Sequence, residues 1–200
     1  MKTIHLIHGF NVFDGGKGSI GSLQKYFEDA GYNVVLHNYG WVGIFRLRLV
    51  NRKTVRRIMD DIDPNNDIVI GHSNGCLVAW MIAGEGVIID KLVCIQPALR
   101  RDTIFPHTVR HILAFYNKKD IAVFAARVFR YINPVSWFNP HQWGMAGKSG
   151  FTRKDSRRTQ INTMTDLPVV CKGHTYLGKE PETSCIAETI LEWIKTLEDK

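Results

Sequence analysis

The hydrophobic and polar positions change period repeatedly along this chain. Short apolar runs, typical of buried strands, predict strands at 3–8, 33–36, 68–70, 92–95, 110–116 and 167–170. Apolar residues three or four positions apart predict helices at 19–30, from just after Trp41 to about Ile62, at 77–83, at 121–131 and at 184–197. Ser19 is the predicted N-cap of the first helix, and 133–154 shows no steady period.

This alternation of strands and helices predicts an α/β fold. Strands that follow one another through helices form a mostly parallel sheet, and the helices cover both of its faces. The chain has 200 residues, and no repeat, low-complexity segment or linker divides it. We therefore predict one domain that spans residues 1–200.

Composition agrees with a globular protein. Hydrophobic residues make up 44% and charged residues 22% of the chain, and no apolar run approaches the length of about 20 residues that spans a bilayer. The first residues are typical of a strand rather than a signal peptide, so we expect a cytoplasmic protein. The four cysteines show no Cys-x-x-Cys spacing, which predicts free core thiols and no zinc site.

The net charge is +7 at pH 7, and a basic run extends from Arg46 to Arg57 on the second predicted helix. Such a run can bind a polyanion. The solvated outer face of a helix that covers a sheet is the favoured interpretation. Nucleic acid is therefore not a favoured partner, and the role of this basic helix is left open.

A glycine-flanked serine follows the strand at 68–70. The motif is Gly71-His72-Ser73-Asn74-Gly75, and an apolar helix follows it. A strand that becomes a helix within about two residues forces the serine into a strained conformation, and glycines on both sides prevent collisions. The free N–H groups of the new helix then favour negative charge near the hydroxyl.

The chain resembles the α/β-hydrolases at four places that together cover nearly its whole length. The glycine-flanked serine is similar to the family's nucleophile elbow. The other three places are the ends of the predicted strands or the turn before the last helix: His8-Gly9-Phe10, Asp120 after the strand 110–116, and Gly173-His174-Thr175. Each signal is modest, and their order along the chain makes the combination specific.

The resemblance implies a role for each residue. Ser73 would be the nucleophile, His174 the general base, and Asp120 the acid that orients the histidine. The backbone N–H groups of Phe10 and Asn74 would form the oxyanion hole. His141 is the runner-up base, and Asp166 and Asp102 compete with Asp120.

These roles imply a serine hydrolase, similar to esterases and lipases, that cleaves a small-molecule carboxylic ester or thioester through an acyl-enzyme. No metal or organic cofactor is expected. A chain this short has little room for a large lid domain. An acyltransferase or amidase with the same triad, and a non-catalytic polyanion-binding protein, are the alternatives. The acyl chain, the leaving group and the oligomeric state are left open.

Overall fold

A six-stranded parallel sheet forms the centre of the molecule. The computed structural model describes residues 2–10, 12–40, 47–64, 66–120, 144–171 and 173–199. The strands are β1 (Thr3–Ile7), β2 (Asn33–His37), β3 (Ile68–His72), β4 (Ile89–Ile95), β5 (Val109–Tyr116) and β6 (Arg158–Asn162). They lie in the order β2-β1-β3-β4-β5-β6, and all five pairings are parallel.

Helices cover both faces of this sheet, which confirms the predicted α/β architecture. The helices are α1 (Gln24–Asp29), α2 (Leu47–Met59), α3 (Asn74–Gly84), the short α4 (Ala146–Ser149) and α5 (Glu182–Glu198). Val55 of α2 and Leu77 of α3 belong to the hydrophobic cluster on one face. Phe27 of α1 and Ile190 of α5 belong to the cluster on the other face.

The strand order places a reversal beside β1. The chain passes from β1 to β2 on one side and then crosses to β3 on the other side. In open parallel sheets, ligands bind outside the carboxyl ends of the strands at such a reversal. The residues that follow β1 and β3, namely Gly9 and Ser73, meet at this point of the sheet.

The prediction of the last strand was wrong. Residues 167–169 form bends and residue 170 is irregular, and the strand that pairs with β5 is Arg158–Asn162. Pro168 has no N–H for a strand ladder, which explains why the apolar run does not pair. β6 pairs on one side only and is half exposed, so its residues are mostly polar and it lacks the apolar signal of the inner strands.

Two helix boundaries also differ from the prediction. The first helix begins with a 3₁₀ turn at Ile20–Leu23, and Ser19 does not cap it, because the Ser19 hydroxyl donates to the carbonyl of Gly16 at 3.2 Å. The second helix ends at Met59 rather than about Ile62. Its predicted start after Trp41, the predicted helix 121–131 and the first half of the irregular stretch 133–154 lie outside the described residues.

Two further predictions concern membrane-spanning segments and the state of the cysteines. Among the described residues, no helix is long and apolar enough to cross a bilayer. All four cysteines are buried and unpaired, which confirms the prediction of free core thiols.

Candidate active site

Ser73 lies at the sharp turn between β3 and α3. Its φ is 53°, a left-handed value that non-glycine residues seldom adopt. The backbone holds this conformation from both sides, because Ser73 N donates to Ile95 O at 2.9 Å and Ala98 N donates to Ser73 O at 3.1 Å. The predicted elbow geometry is therefore present, and the strain is stored at the serine.

The flanking glycines are required by close approach. A Cβ on Gly71 would lie 2.6 Å from the backbone nitrogen of Cys76, inside the first turn of α3. A Cβ on Gly75 would collide with the carbonyl oxygen of Ile7 at the end of β1. The two glycines therefore let α3 start immediately beside β1 and β3, which brings Ser73 to the carboxyl edge of the sheet.

Asp120 and His174 form a hydrogen-bonded pair, with 2.8 Å between His174 Nδ1 and Asp120 Oδ2. The Asp120 side chain is fully buried, and the His174 side chain is 16% exposed. Because a carboxylate accepts, Nδ1 carries the proton, and Nε2 is left as the basic nitrogen. Residues 54 positions apart in sequence are thus joined in the geometry of an acid–histidine pair.

The alternative acids and base are placed differently. Asp166 is exposed, and its carboxylate accepts from Asn162 N at 2.7 Å and from the Thr165 hydroxyl at 2.7 Å, so it caps a turn after β6. Asp102 is also exposed and pairs with Arg100 at 2.7 Å. The runner-up base, His141, lies outside the described residues.

Ser73 makes no side-chain hydrogen bond to His174 within the part of the chain that is described. Such contacts are often long without substrate and tighten in the Michaelis complex. The ring of His174 does lie beside the elbow, because its centroid is 5.0 Å from that of His72, the residue before Ser73. Burial lowers the pKa of His72 to about 3, so this neighbouring imidazole is neutral.

Gln96 is a site residue that the sequence analysis missed. It follows β4 directly, is fully buried, and has a φ of 47°. Its Nε2 donates to Asp120 Oδ2 at 3.2 Å and also to the carbonyl oxygen of Gly173. One amide therefore contacts the acid and the residue before the histidine. The signal in the sequence is weak, because a single glutamine after a strand has no motif.

Asn117 joins the same two loops further from the surface. Its side-chain nitrogen donates to Thr163 Oγ1 at 2.9 Å and to the carbonyl oxygen of Cys171, and its Oδ1 accepts from Lys119 N at 2.9 Å. It is fully buried at the end of β5. The loops that carry Asp120 and His174 are therefore fastened together by a polar side chain rather than by apolar packing.

The predicted oxyanion loop lies against the elbow. A Cβ on Gly9 would be 3.2 Å from the Cβ of Ser73, so the backbone before Phe10 passes beside the serine. Asn74 is fully buried at the start of α3. The two residues whose N–H groups were predicted to bind an oxyanion thus belong to adjacent segments next to Ser73.

A buried polar network supports both of these segments. The Tyr39 hydroxyl donates to His8 O at 2.7 Å, with Gly9 O at 3.0 Å, and accepts from Asn74 Nδ2 at 3.4 Å. Asn74 and the fully buried Asn51 of α2 exchange two hydrogen bonds, at 3.2 and 3.0 Å. The side chains thereby tie the end of β1 to the start of α3.

The Cys76 thiol and possible metal ligands are the other groups to consider near the elbow. Cys76 lies near the elbow and is fully buried, and burial raises the pKa of its thiol, so it is no competing nucleophile. Among the described residues, no group of three or more His, Cys, Asp or Glu side chains is arranged to hold a metal ion.

Comparison with known proteins supports the fold. No family model and no curated protein matches the sequence. The solved structure of alpha/beta hydrolase domain-containing protein 10 from mouse matches with a TM-score of 0.60 and 13% identity, over 98% of this chain and 90% of that one. The esterase domain of a Rhodothermus marinus protein matches with a TM-score of 0.57 and 12% identity, over 96% and 88% respectively.

A third solved structure has the same architecture. Est1E from Butyrivibrio proteoclasticus matches with a TM-score of 0.55 and 15% identity, over 100% of this chain and 89% of that one. Identities this low speak for the fold rather than for a shared activity. The six-stranded parallel sheet and these matches together show that the chain has the α/β-hydrolase fold.

Proposed function

We propose that this protein is a serine hydrolase that cleaves a carboxylic ester or thioester. The observation that carries the proposal is the 2.8 Å hydrogen bond between Asp120 and His174 at the edge of the sheet where the strained Ser73 lies. An acid–histidine pair beside a serine at the carboxyl ends of the strands is the arrangement that acyl transfer to a hydroxyl needs.

In the proposed reaction, Ser73 Oγ attacks the carbonyl carbon while His174 Nε2 takes the hydroxyl proton. Asp120 holds the ring and stabilises its charged form. The backbone N–H groups of Phe10 and Asn74 bind the oxyanion, each contributing ~3–4 kcal/mol in comparable sites. His174 then returns the proton to the leaving alcohol or thiol.

The resulting acyl-enzyme is hydrolysed by water, which His174 activates in the same way. No cofactor or metal takes part in this scheme. The buried, unpaired cysteines fit a reducing compartment and so support a cytoplasmic location as part of the proposal. Transfer of the acyl group to an alcohol or amine would use the same intermediate, and product analysis with an added acceptor separates the two reactions.

Labelling by a fluorophosphonate probe tests the nucleophile directly. We expect the wild type to be labelled and the Ser73→Ala and His174→Ala variants to resist labelling. Ser156→Ala is the matched control, because Ser156 is exposed and lies in the turn before β6. It should react like the wild type.

A folded wild type that resists the probe would refute the proposal, and so would labelling that survives Ser73→Ala. After positive labelling, a series of aryl esters with increasing acyl length identifies the acyl preference. The ester series also separates hydrolysis from transfer when an alcohol is added.

A further inference from the structure

The outer face of α2 carries a compact group of positive charges. Arg52, Lys53, Arg56 and Arg57 are all exposed, and no residue of α2 is acidic. They form two i, i+4 pairs that span about 8 Å along the helix axis at ~1.5 Å per residue. We call these four residues the cationic ridge.

Carboxylates pair with some cations of this protein, but none pairs with a ridge residue. Arg100 pairs with Asp102 at 2.7 Å, and Arg157 pairs with Asp155 at 2.7 Å. All 19 acidic residues lie in the described ranges, and within those ranges none approaches a ridge residue to 4 Å. Like charges at i, i+4 destabilise a helix, so an external anion would stabilise this surface.

Two grooves, each lined partly by apolar residues, flank the ridge. The first groove has a volume of about 480 Å³ and is lined by Arg52, Arg56, Val55, Met59, Met81 and Glu85. The second has a volume of about 210 Å³ and is lined by Lys53, Arg57, Tyr39, Val50 and Thr54. Each pair of ridge cations therefore stands beside hydrocarbon surface. This combination suits an anion that carries an apolar chain.

The ridge suits a lipid surface better than a nucleic acid. Nucleic-acid sites follow the phosphate backbone with extended positive charge, and single-strand sites add aromatic side chains on which the bases stack. The apolar residues that line the first groove are Val55, Met59 and Met81, which suit acyl chains better than bases.

We propose that the cationic ridge docks the protein on a surface of anionic phospholipid, with lipid phosphates paired to Arg52, Lys53, Arg56 and Arg57. Glu85 also lines the first groove, and its carboxylate disfavours anions there, so the headgroups pair with the ridge itself. The interaction is peripheral and electrostatic, and it falls off within a Debye length of about 8 Å at physiological ionic strength. The ridge is independent of the proposed hydrolase chemistry.

Vesicle sedimentation with the full chain tests the proposal. We compare vesicles of phosphatidylcholine alone with vesicles that also contain phosphatidylglycerol. The wild type should bind only the anionic vesicles, and salt should weaken the binding. The Arg52→Gln/Arg56→Gln variant should partition about 30-fold less, because each basic residue near an anionic surface contributes roughly a factor of five.

The control removes the same charge elsewhere. Lys25 of α1 and Lys195 of α5 are exposed on helices that cover the opposite face of the sheet from α2, and neither pairs with a carboxylate of the described chain. Lys25→Gln/Lys195→Gln should change the partition less than about twofold, since these residues lie outside the ridge. Ser73→Ala should bind vesicles like the wild type, so failure of the hydrolase proposal does not affect this test.

Three outcomes would overturn the proposal. The first is equal binding to both kinds of vesicle. The second is an equal loss of binding in the ridge variant and its control, which indicates general attraction. The third is tight binding of duplex DNA or RNA, lost in the ridge variant, without any preference for anionic vesicles. Hydrolysis of a soluble ester should be the same in the ridge variant as in the wild type.

Discussion

Two carboxylate–histidine pairs lie at opposite edges of the same parallel sheet. Asp120 and His174 meet at the carboxyl edge with 2.8 Å between the bonded atoms. Asp67 and His5 meet toward the amino edge with 2.9 Å between Asp67 Oδ2 and His5 Nε2. The bond lengths are nearly the same, so the bond itself does not distinguish a candidate catalytic pair from a structural one.

The two pairs differ in the surroundings of the histidine nitrogen that does not bond the carboxylate. His5 Nδ1 is bonded to His37 Nε2 at 2.8 Å, and the His5 and Asp67 side chains are only 2% and 7% exposed. His174 is partly exposed, and its Nε2 makes no hydrogen bond to the described part of the chain. A histidine can act as a base only when a nitrogen is accessible to substrate.

Substitution at the carboxyl edge should have the largest effect. Asp120→Asn removes the charge that orients and stabilises His174, and we expect kcat for ester hydrolysis to fall by roughly 10⁴-fold with the fold retained. Asp166→Asn is the matched control, since Asp166 is exposed and bonded to Asn162 and Thr165. Steady-state kinetics and circular dichroism measure the two effects. A kcat for Asp120→Asn within tenfold of wild type would contradict the assignment.

The equivalent change at the amino edge should affect stability instead. Asp67 accepts from Thr3 N at 3.3 Å and Asp63 N at 2.7 Å in addition to His5. Asp67→Asn replaces one accepting carboxylate oxygen by an NH2 group, which cannot accept a hydrogen bond from these donors. We expect the free energy of unfolding to fall by about 2–4 kcal/mol. Urea titration gives this value. Activity per folded molecule should be unchanged. A loss of kcat without a loss of stability would contradict the structural role given to the Asp67–His5 pair.

Acid should destabilise the protein through its buried histidines. Burial lowers the pKa of His37 to about 4 from an ordinary value of 6.5. The unfolded chain therefore takes up a proton at His37 that the folded chain does not, so the stabilisation is complete above pH 6.5 and is lost as pH falls towards 4. His72, with a pKa of about 3, adds to the same loss.

This loss should amount to about 3 kcal/mol for His37, since one pKa unit corresponds to about 1.4 kcal/mol. Urea unfolding measured from pH 7 to pH 4.5 checks it. His37→Gln cannot titrate, so its stability should depend less steeply on pH than that of the wild type. Identical slopes for the two proteins would show that His37 does not titrate in this way.

The smallest effect should come from Gln96. Gln96→Leu removes both hydrogen bonds of the side-chain nitrogen, so the loops of Asp120 and His174 lose one of the two side chains that join them, and kcat should fall about 10- to 100-fold with KM little changed. Asn117 still joins these loops, so the fold should be retained.

A purely structural role for Gln96 would lower the free energy of unfolding and leave kcat per folded molecule unchanged. Gln160→Leu is a suitable control, because Gln160 also bonds backbone, at Phe151 N and Phe151 O, but on the edge strand β6. It should leave kcat unchanged.

The sequence alone determined the features that depend on neighbours along the chain. The alternation of strands and helices, the elbow around Ser73 and the apolar stripe of the last helix follow from local spacing, because period and steric demand act over a few residues. These predictions agree with β3, α3 and α5 as the structure has them.

Tertiary structure decided the features that depend on residues far apart in sequence. The last strand is the polar β6 rather than the apolar 167–170, because an edge strand needs only one buried face. Asp120 rather than Asp166 bonds His174, and Gln96 joins them, because loops from different strands converge at one edge. The Asp67–His5–His37 chain also forms only when β1, β2 and β3 pair, and no local pattern encodes that pairing.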